Sequence, residues 1–233
     1  MIGTMPEPTP LAAEIMRRLD AAYEQARDPQ RAAPMAAYMR DQFPFLGIPI
    51  PAQKVIAREV LAGLDRPGEA DLSAVAAECW QRDEREYQYF ACGLLRRHCR
   101  GCSEGFLPVA EHLIVTRSWW DTVDTLAAHV VGPLVARYPR LVEVTDRWLT
   151  DDNIWLVRAA ILHQLTFKES TDAARLFRYC TVQAGHSDFF VRKAIGWALR
   201  EYAKTDPAAV RGFVTSHQSR LAAMTVREAL RNL

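Results

Sequence analysis

A five-residue motif recurs three times in the second half of the chain at nearly constant spacing. The copies Val157–Ile161, Val191–Ile195 and Val226–Leu230 share the pattern V-R-x-A-[IL], and their arginines are 34 and then 35 residues apart. A period of this length is typical of stacked two-helix units, which bury a continuous core between neighbours and present a concave surface. The repeat therefore predicts an all-α fold, a right-handed helical solenoid.

The rest of the sequence also predicts helices. Alternating strand patterns are scarce, whereas Ala, Leu, Arg and Glu are abundant at helical spacing, and Pro and Gly divide the chain into helix-sized pieces. The predicted helices span residues 9–27, 31–42, 52–64, 71–81, 84–99, 106–115, 118–137, 140–149, 153–166, 170–183, 188–204, 207–217 and 221–231. No segment resembles a linker, so residues 1–233 are predicted to form one domain.

Composition and cysteine usage exclude several classes of protein. Hydrophobic residues make up 49% of the 233 residues and charged residues 24%, which excludes a disordered chain, a collagen-like fibre and a small disulfide scaffold. No apolar run approaches the roughly 18 residues of a membrane span. The first residues show no secretory signal, and five cysteines are an odd number, so we expect a cytoplasmic protein that does not enter a membrane.

Positive charge is concentrated at the C-terminal end. The segment from Phe190 to Leu233 has eight basic and three acidic residues, a net charge of +5, although the whole chain carries only +1. Such a segment is typical either of contact with an anionic partner or of a solvated helix face.

The least ordinary stretch is Arg117–Asp124, which contains two adjacent tryptophans and two aspartates. Ser118 followed by Asp121 predicts a capping box at a helix start. An apolar stripe then faces the core, formed by Trp119, Val123, Leu126 and Val130. Trp120 and Asp124 lie together on a different face. They form either a functional pair or an ordinary surface, with the tryptophan covering a neighbouring helix and the aspartate solvated.

Two later helices carry further candidates. Lys193, Trp197, Arg200 and Lys204 share one face of the 188–204 helix, away from its apolar stripe. Cations around an aromatic ring suit a phosphate-rich ligand with sugars or bases, but the same pattern also describes a solvated basic face.

Arg158 lies on the predicted 153–166 helix. It is either buried and paired with a carboxylate or directed towards an anion.

Other chemistries have little support. Cys99 and Cys102 have CxxC spacing, but no second ligand pair accompanies them, so no metal site is predicted. The motifs GxGxxG, Walker A and HExxH are absent, and the six histidines do not cluster.

Five stretches of the chain resemble the AlkD-type bacterial DNA alkylation repair proteins, which are alkylpurine DNA glycosylases built from HEAT-like repeats. They are PMAAYMRDQFPFLGI (34–48), WQRDEREYQYFA (80–91), LIVTRSWWDTVDTLA (113–127), DNIWLVRAAILHQL (152–165) and FFVRKAIGWALREYAKTDP (189–207). The tryptophan-rich blocks are more specific than the helical period alone. Residues 1–10 have no counterpart and are interpreted as a flexible extension.

The resemblance implies roles for individual residues. Asp124 matches the family's catalytic aspartate, and Trp120 and Trp197 match its two active-site tryptophans. Arg158 matches a phosphate-contacting arginine. The remaining matches are on the DNA-facing surface, namely Tyr38, Arg200 and Lys204, which Lys193 joins on the same basic face. A family lysine is replaced by Thr166, with Lys168 following, which alters the expected phosphate contacts.

The resemblance also implies the reaction. The expected substrate is duplex DNA containing purines alkylated at N3 or N7, and the expected activity is hydrolysis of the N-glycosidic bond without base flipping, as in base excision repair. It implies no metal or organic cofactor and a monomeric protein. Two alternatives are a non-catalytic DNA-binding relative and a helical-repeat scaffold for protein partners, neither of which needs Asp124 beside both tryptophans.

Overall fold

The computed structural model describes residues 9–231 and residue 233, and these residues form helices and turns without any strand. The predicted all-α class is confirmed. The chain divides into two compact units whose boundary lies between Val109 and Ala110, within α6 (Leu107–Val115). None of the helices described is long and apolar enough to cross a bilayer.

The helices of the first unit are α1 (Pro10–Gln25), α2 (Pro29–Tyr38), α3 (Ile50–Val60), α4 (Glu69–Gln81) and α5 (Arg85–His98). The helices of the second unit are α7 (Trp120–Leu126), α8 (Gly132–Arg137), α9 (Val142–Trp148), α10 (Ile154–Leu162), α11 (Ala173–Val182), α12 (Phe189–Tyr202), α13 (Pro207–Ser216) and α14 (Ala223–Ala229). Each predicted helix corresponds to one or more of the helices α1 to α14, with ends shifted by a few residues.

Thr9 and Pro10, the last two residues of the predicted N-terminal extension, are part of the folded unit. Pro10 is the first residue of α1, and the Thr9 hydroxyl accepts a hydrogen bond from the backbone N–H of Ala12 at 3.0 Å. Thr9 also donates to a carboxylate oxygen of Asp71, 2.5 Å away. Both residues therefore belong to the folded unit, and residues 1–8 lie outside the described residues. The assignment of residues 1–233 to one domain stays a prediction.

Side-chain caps explain why many of the helices begin where they do. A short polar side chain at the N-cap accepts hydrogen bonds from the first unpaired backbone N–H groups and so replaces intrahelical partners. This applies to α2, α10, α11, α12 and α13, whose caps are Asp28, Asn153, Asp172, Asp188 and Asp206.

A buried carboxylate organises the first unit. Glu86 of α5 has no exposed surface, and its two oxygens accept hydrogen bonds from the backbone N–H groups of Leu46, Gly47 and Ile48 at 2.9 to 3.1 Å. Gly47 has φ +88°, and a Cβ there would lie 2.0 Å from the carbonyl oxygen of Asp28. The loop after α2 is thus held by one side chain and by a glycine that no larger residue can replace.

Removing the Glu86 carboxylate should destabilise the first unit strongly. Glu86→Ala leaves three buried N–H donors without their acceptor, and we expect a loss of about 2 to 4 kcal/mol of unfolding free energy. Urea denaturation of the wild type and the variant measures this difference. Glu84→Ala is the control, since the Glu84 carboxylate pairs with Arg27 in an exposed ion pair, and among the contacts described its removal leaves no buried N–H group without an acceptor. Equal midpoints for Glu86→Ala and the wild type would contradict the role of Glu86.

The sequence repeat corresponds to stacked helices in the second unit. Its three copies lie on α10, α12 and α14; α10 packs against α7 and α12, and α12 packs against α14. The alanine of the motif is fully buried in every copy, at Ala160, Ala194 and Ala229. The small residue lets successive layers approach, and this accounts for its recurrence.

A π-helical turn interrupts the long helix expected over 118–137. Residues Ala127–Val131 form this turn between α7 and α8. The Thr166 hydroxyl donates to the Ala128 carbonyl in the turn at 3.2 Å, and a Cβ on Gly132 would lie 2.2 Å from the His163 carbonyl oxygen. A widened turn leaves carbonyls without their usual partners, and here a neighbouring side chain takes up one of them.

Candidate active site

The start of α7 is capped differently from the sequence prediction. Trp119 is the N-cap residue and makes no side-chain cap. Ser118 does not cap α7, because its hydroxyl donates to the Ile114 carbonyl at 2.6 Å, at the end of α6. Asp121 accepts from the N–H of Thr122 at 2.9 Å. The predicted capping box is therefore wrong, because the serine satisfies the preceding helix instead.

An aromatic cluster surrounds the start of α7. The Trp119 ring lies 5.7 Å from that of Trp155 and 5.0 Å from that of Phe190, and the Trp155 and Phe190 rings are also 5.0 Å apart. The other members of the predicted core stripe are fully buried, namely Val123, Leu126 and Val130. Contacts among these rings fix α7 against α10 and α12.

A two-pronged ion pair joins Asp124 on α7 to Arg158 on α10. Asp124 Oδ1 accepts from Arg158 Nε at 2.6 Å, and Oδ2 accepts from Nη2 at 2.7 Å. The third guanidinium nitrogen, Nη1, donates to the Phe190 carbonyl at 2.5 Å. The Asp124 side chain is 12% exposed and that of Arg158 only 4%. A small part of the Asp124 side chain thus remains at the surface, while Arg158 is almost fully enclosed.

The environment acts on Asp124 in two opposite directions. Burial raises the pKa of the Asp124 carboxyl above its usual value, because removal from water disfavours the charged form. The hydrogen bonds and positive charge of Arg158 lower the same pKa, and the nearby Asp121 raises it a little. Arg158 therefore offsets part of the effect of burial, and the pKa of Asp124 remains raised.

The geometry of Arg158 favours the paired alternative over contact with a phosphate. Each of its three nitrogens donates within the protein, and a buried arginine with these bonds is held firmly in one place. The phosphate contact implied by the resemblance stays a prediction. The repeat period could have revealed the pair, because Asp124 precedes Arg158 by 34 residues, one repeat.

The other candidate aromatic residues occupy separate elements. Trp120 is half-buried and lies one helical turn before Asp124, and Trp197 is half-buried on α12, the neighbour of α10. Tyr38 ends α2 in the first unit and is 76% exposed, the largest value among the exposed large hydrophobic residues described. It is followed by Arg40 and Asp41, both with positive φ.

The basic face of α12 is partly neutralised by a residue that the sequence reading missed. Glu228 on α14 accepts from Lys193 Nζ at 2.7 Å and pairs with Arg200, while Lys204 pairs with Glu201 at 2.7 Å. Lys193 and Glu228 occupy the same variable position of successive motif copies, so the repeat places one above the other. That register is the signal that could have found the contact.

The described residues contain no group of three or more His, Cys, Asp and Glu side chains arranged to hold a metal ion. Cys99 and Cys102 are buried thiols, and burial raises the pKa of Cys99 to about 12. A thiol with so high a pKa is a poor metal ligand and a poor nucleophile at neutral pH.

Comparison with known proteins identifies the family. The model of the DNA alkylation repair enzyme family matches residues 19–233. The chain is similar to the structure of a predicted DNA alkylation repair enzyme from Enterococcus faecalis, with 30% identity and a TM-score of 0.80, over 89% of this chain and 96% of that one.

A second structure supports the fold alone. The smu.31 protein from Streptococcus mutans UA159 is 14% identical with a TM-score of 0.60, over 96% of this chain and 99% of that one. No curated protein matches the chain. Because the family model covers nearly the whole chain and the Enterococcus faecalis structure agrees with it in fold and sequence, this protein belongs to the DNA alkylation repair enzyme family.

Proposed function

We propose that the protein is a monofunctional DNA glycosylase of the AlkD type, which hydrolyses the N-glycosidic bond of N3- and N7-alkylated purines in duplex DNA. The observation that carries this proposal is the carboxylate of Asp124, which Arg158 holds on the helix face that Trp120 shares and whose side chain is still 12% exposed. A surface built only to bind polyphosphate gains nothing from a fixed negative charge. A catalytic role therefore explains the presence of the Asp124 carboxylate better than a role in DNA binding does.

The reaction places a positive charge where Asp124 can stabilise it. A purine alkylated at N3 or N7 is cationic, so the bond from C1′ to the ring nitrogen breaks with its electron pair returning to the purine. The deoxyribose then develops oxocarbenium character, which a carboxylate stabilises electrostatically. Water adds its oxygen to C1′ and loses a proton, and Asp124 accepts a hydrogen bond from that water and orients it.

Neighbouring residues support this step. Arg158 acts as a positioning residue, because it fixes both carboxylate oxygens and counters the effect of burial on the pKa of Asp124. Trp120 and Trp197 pack around the deoxyribose, whose C–H groups become more positive as the bond breaks. Capture of the lesion in this way requires no extrusion of the base into a pocket. The protein acts as a monomer in base excision repair in the bacterial cytoplasm.

The direct test is release of a methylated purine from alkylated duplex DNA by the purified protein. We expect free 3-methyladenine or 7-methylguanine and an intact abasic strand, detected by chromatography and by gel analysis before and after alkali. DNA binding without base release would favour a non-catalytic DNA-binding relative. The absence of DNA binding at any salt concentration would favour a protein scaffold.

The basic residues on α12 should act through backbone phosphates. We expect Lys193→Ala, Arg200→Ala and Lys204→Ala each to weaken DNA binding by a similar factor for every sequence, and to lower the slope of log K against log salt by about one. Tyr38→Ala should weaken binding without changing that slope, because it removes no charge. Fluorescence anisotropy at several salt concentrations measures both quantities. An affinity that does not depend on salt would contradict the phosphate role.

A further inference from the structure

Positive charges also surround a depression beside α14, and of these the proposal above uses only Lys193. A depression of about 440 Å³ is lined by Lys193 of α12 and by Met224, Arg227, Glu228 and Arg231 at the C-terminal end of the chain. Arg227 and Arg231 are four residues apart and both exposed. Three cations therefore surround a single carboxylate at this place.

Glu228 forms its ion pairs with Lys193 and Arg200 of α12. These ion pairs do not include Arg227 or Arg231 of α14. The Glu228 side chain is 11% exposed and bonded to Lys193 and Arg200, and these two residues, with a smaller contribution from the charge of Arg231, hold the pKa of Glu228 below its usual value. The contact needs a close approach of the helices, because a Cβ on Gly196 would lie 2.7 Å from Glu228 Cβ. Glu228 thus fixes α14 against α12. The depression keeps a net positive charge, because three cations line it together with this one carboxylate.

We propose that this depression binds a backbone phosphate of duplex DNA, at a distance from the lesion, through Arg227 and Arg231 with Lys193. The proposal rests on the proposed function, which supplies the duplex. Exposed guanidinium groups close to an ammonium suit a phosphodiester, since each offers several donors to its oxygens. Met224 gives the site an apolar wall, against which a deoxyribose can pack.

The stacking of the helices gives an estimate of that distance. From α7, which carries Asp124, to α14 there are three packing steps, through α10 and α12. Packed helices lie about 8 to 10 Å apart, so the three steps amount to roughly 25 to 30 Å. Base pairs of B-DNA follow each other at about 3.4 Å, so we expect the phosphate about seven to nine base pairs from the lesion, beyond an arm of 4 base pairs.

Duplexes with arms of different length test this geometry. Each duplex carries one alkylated purine, which sets the register, with either 12 base pairs on both sides or only 4 on one side. We expect Arg227→Ala/Arg231→Ala to weaken binding of the long duplex on the order of tenfold and to reduce the salt slope by about one to two. Shortening one particular arm should remove the difference from the wild type, and shortening the other should leave it.

Two further variants sharpen the result. Arg211→Ala/Arg220→Ala also removes two positive charges from exposed positions, on α13 and the turn after it, and should show no dependence on arm length. Glu228→Gln removes the negative charge beside the phosphate, and we expect severalfold tighter binding of the long duplex.

Several outcomes would overturn the proposal. They are an equal loss with short and long arms, a loss no larger than that of the control pair, or weaker binding by Glu228→Gln. Inorganic phosphate is the probe for a small-anion site: phosphate binding that depends on Arg227 and Arg231, without any effect of arm length on DNA binding, would also reject it. Base release by the wild-type protein is measured on the same duplexes, so that failure of the catalytic proposal is recognised separately.

Discussion

Asp124→Asn should reduce base release by roughly 10² to 10⁴-fold while leaving DNA binding intact. The substitution keeps the shape of the side chain and removes the charge that stabilises the developing oxocarbenium ion. Binding should be unchanged or slightly tighter, because a negative charge near phosphates is lost. The effect should be smaller for 7-methylguanine than for a lesion that departs less readily, since less of its barrier is lowered by the enzyme.

A single-turnover assay of base release beside a binding titration with the same duplex measures the two effects. Asp121→Asn is the matched control, because it also removes one carboxylate from the first turns of α7 but leaves the pair with Arg158. Full activity in Asp124→Asn would reject the catalytic role. A parallel loss of binding would instead indicate that Asp124 holds α7 and α10 together.

Arg158→Leu should have the second-largest effect, on stability and on the pH dependence of the reaction. Removal of one partner leaves the buried Asp124 carboxylate uncompensated, which costs about 3 to 5 kcal/mol of unfolding free energy. The pKa of Asp124 should rise further, because burial then acts unopposed. Since the raised pKa belongs to the folded state, the loss of stability should be smaller at low pH and should grow as the pH rises through that pKa.

The activity of Arg158→Leu should also depend on the raised pKa of Asp124. Only the ionised form of Asp124 is active, so the acid limb of the rate profile should move to higher pH by about one to three units, and activity should partly recover under alkaline conditions. Denaturation and single-turnover rates between pH 5 and pH 9 give both profiles. Asp124→Asn/Arg158→Leu is the control, and it should recover part of the stability because no charge is left unpaired.

The same variant separates positioning from phosphate binding. A phosphate-contacting Arg158 would give weaker DNA binding and a salt slope lower by about one, with an unchanged rate at saturating protein. A positioning residue gives a lower rate and a shifted acid limb at saturation. An acid limb at the wild-type pH would therefore contradict the role that we assign to Arg158.

The sequence by itself determined the helical class, the repeat period of the second unit and the face shared by Trp120 and Asp124. Local rules suffice for these features, because periodicity, caps and proline or glycine breaks act within one helix. The three alanines of the motif are buried as the repeat requires. The sequence also indicated the family, through blocks rich in tryptophan.

Only the tertiary structure decided which residues face each other across successive layers. Helical periodicity left Arg158 either paired or directed outward, and the approach of α7, α10 and α12 brought Asp124 and the Phe190 carbonyl to it. The contact of Glu228 with Lys193 and Arg200 depends on the space at Gly196, which no pattern within α12 predicts. Partners in neighbouring layers depend on distances between backbones, and those distances follow from packing of the whole unit rather than from any single helix.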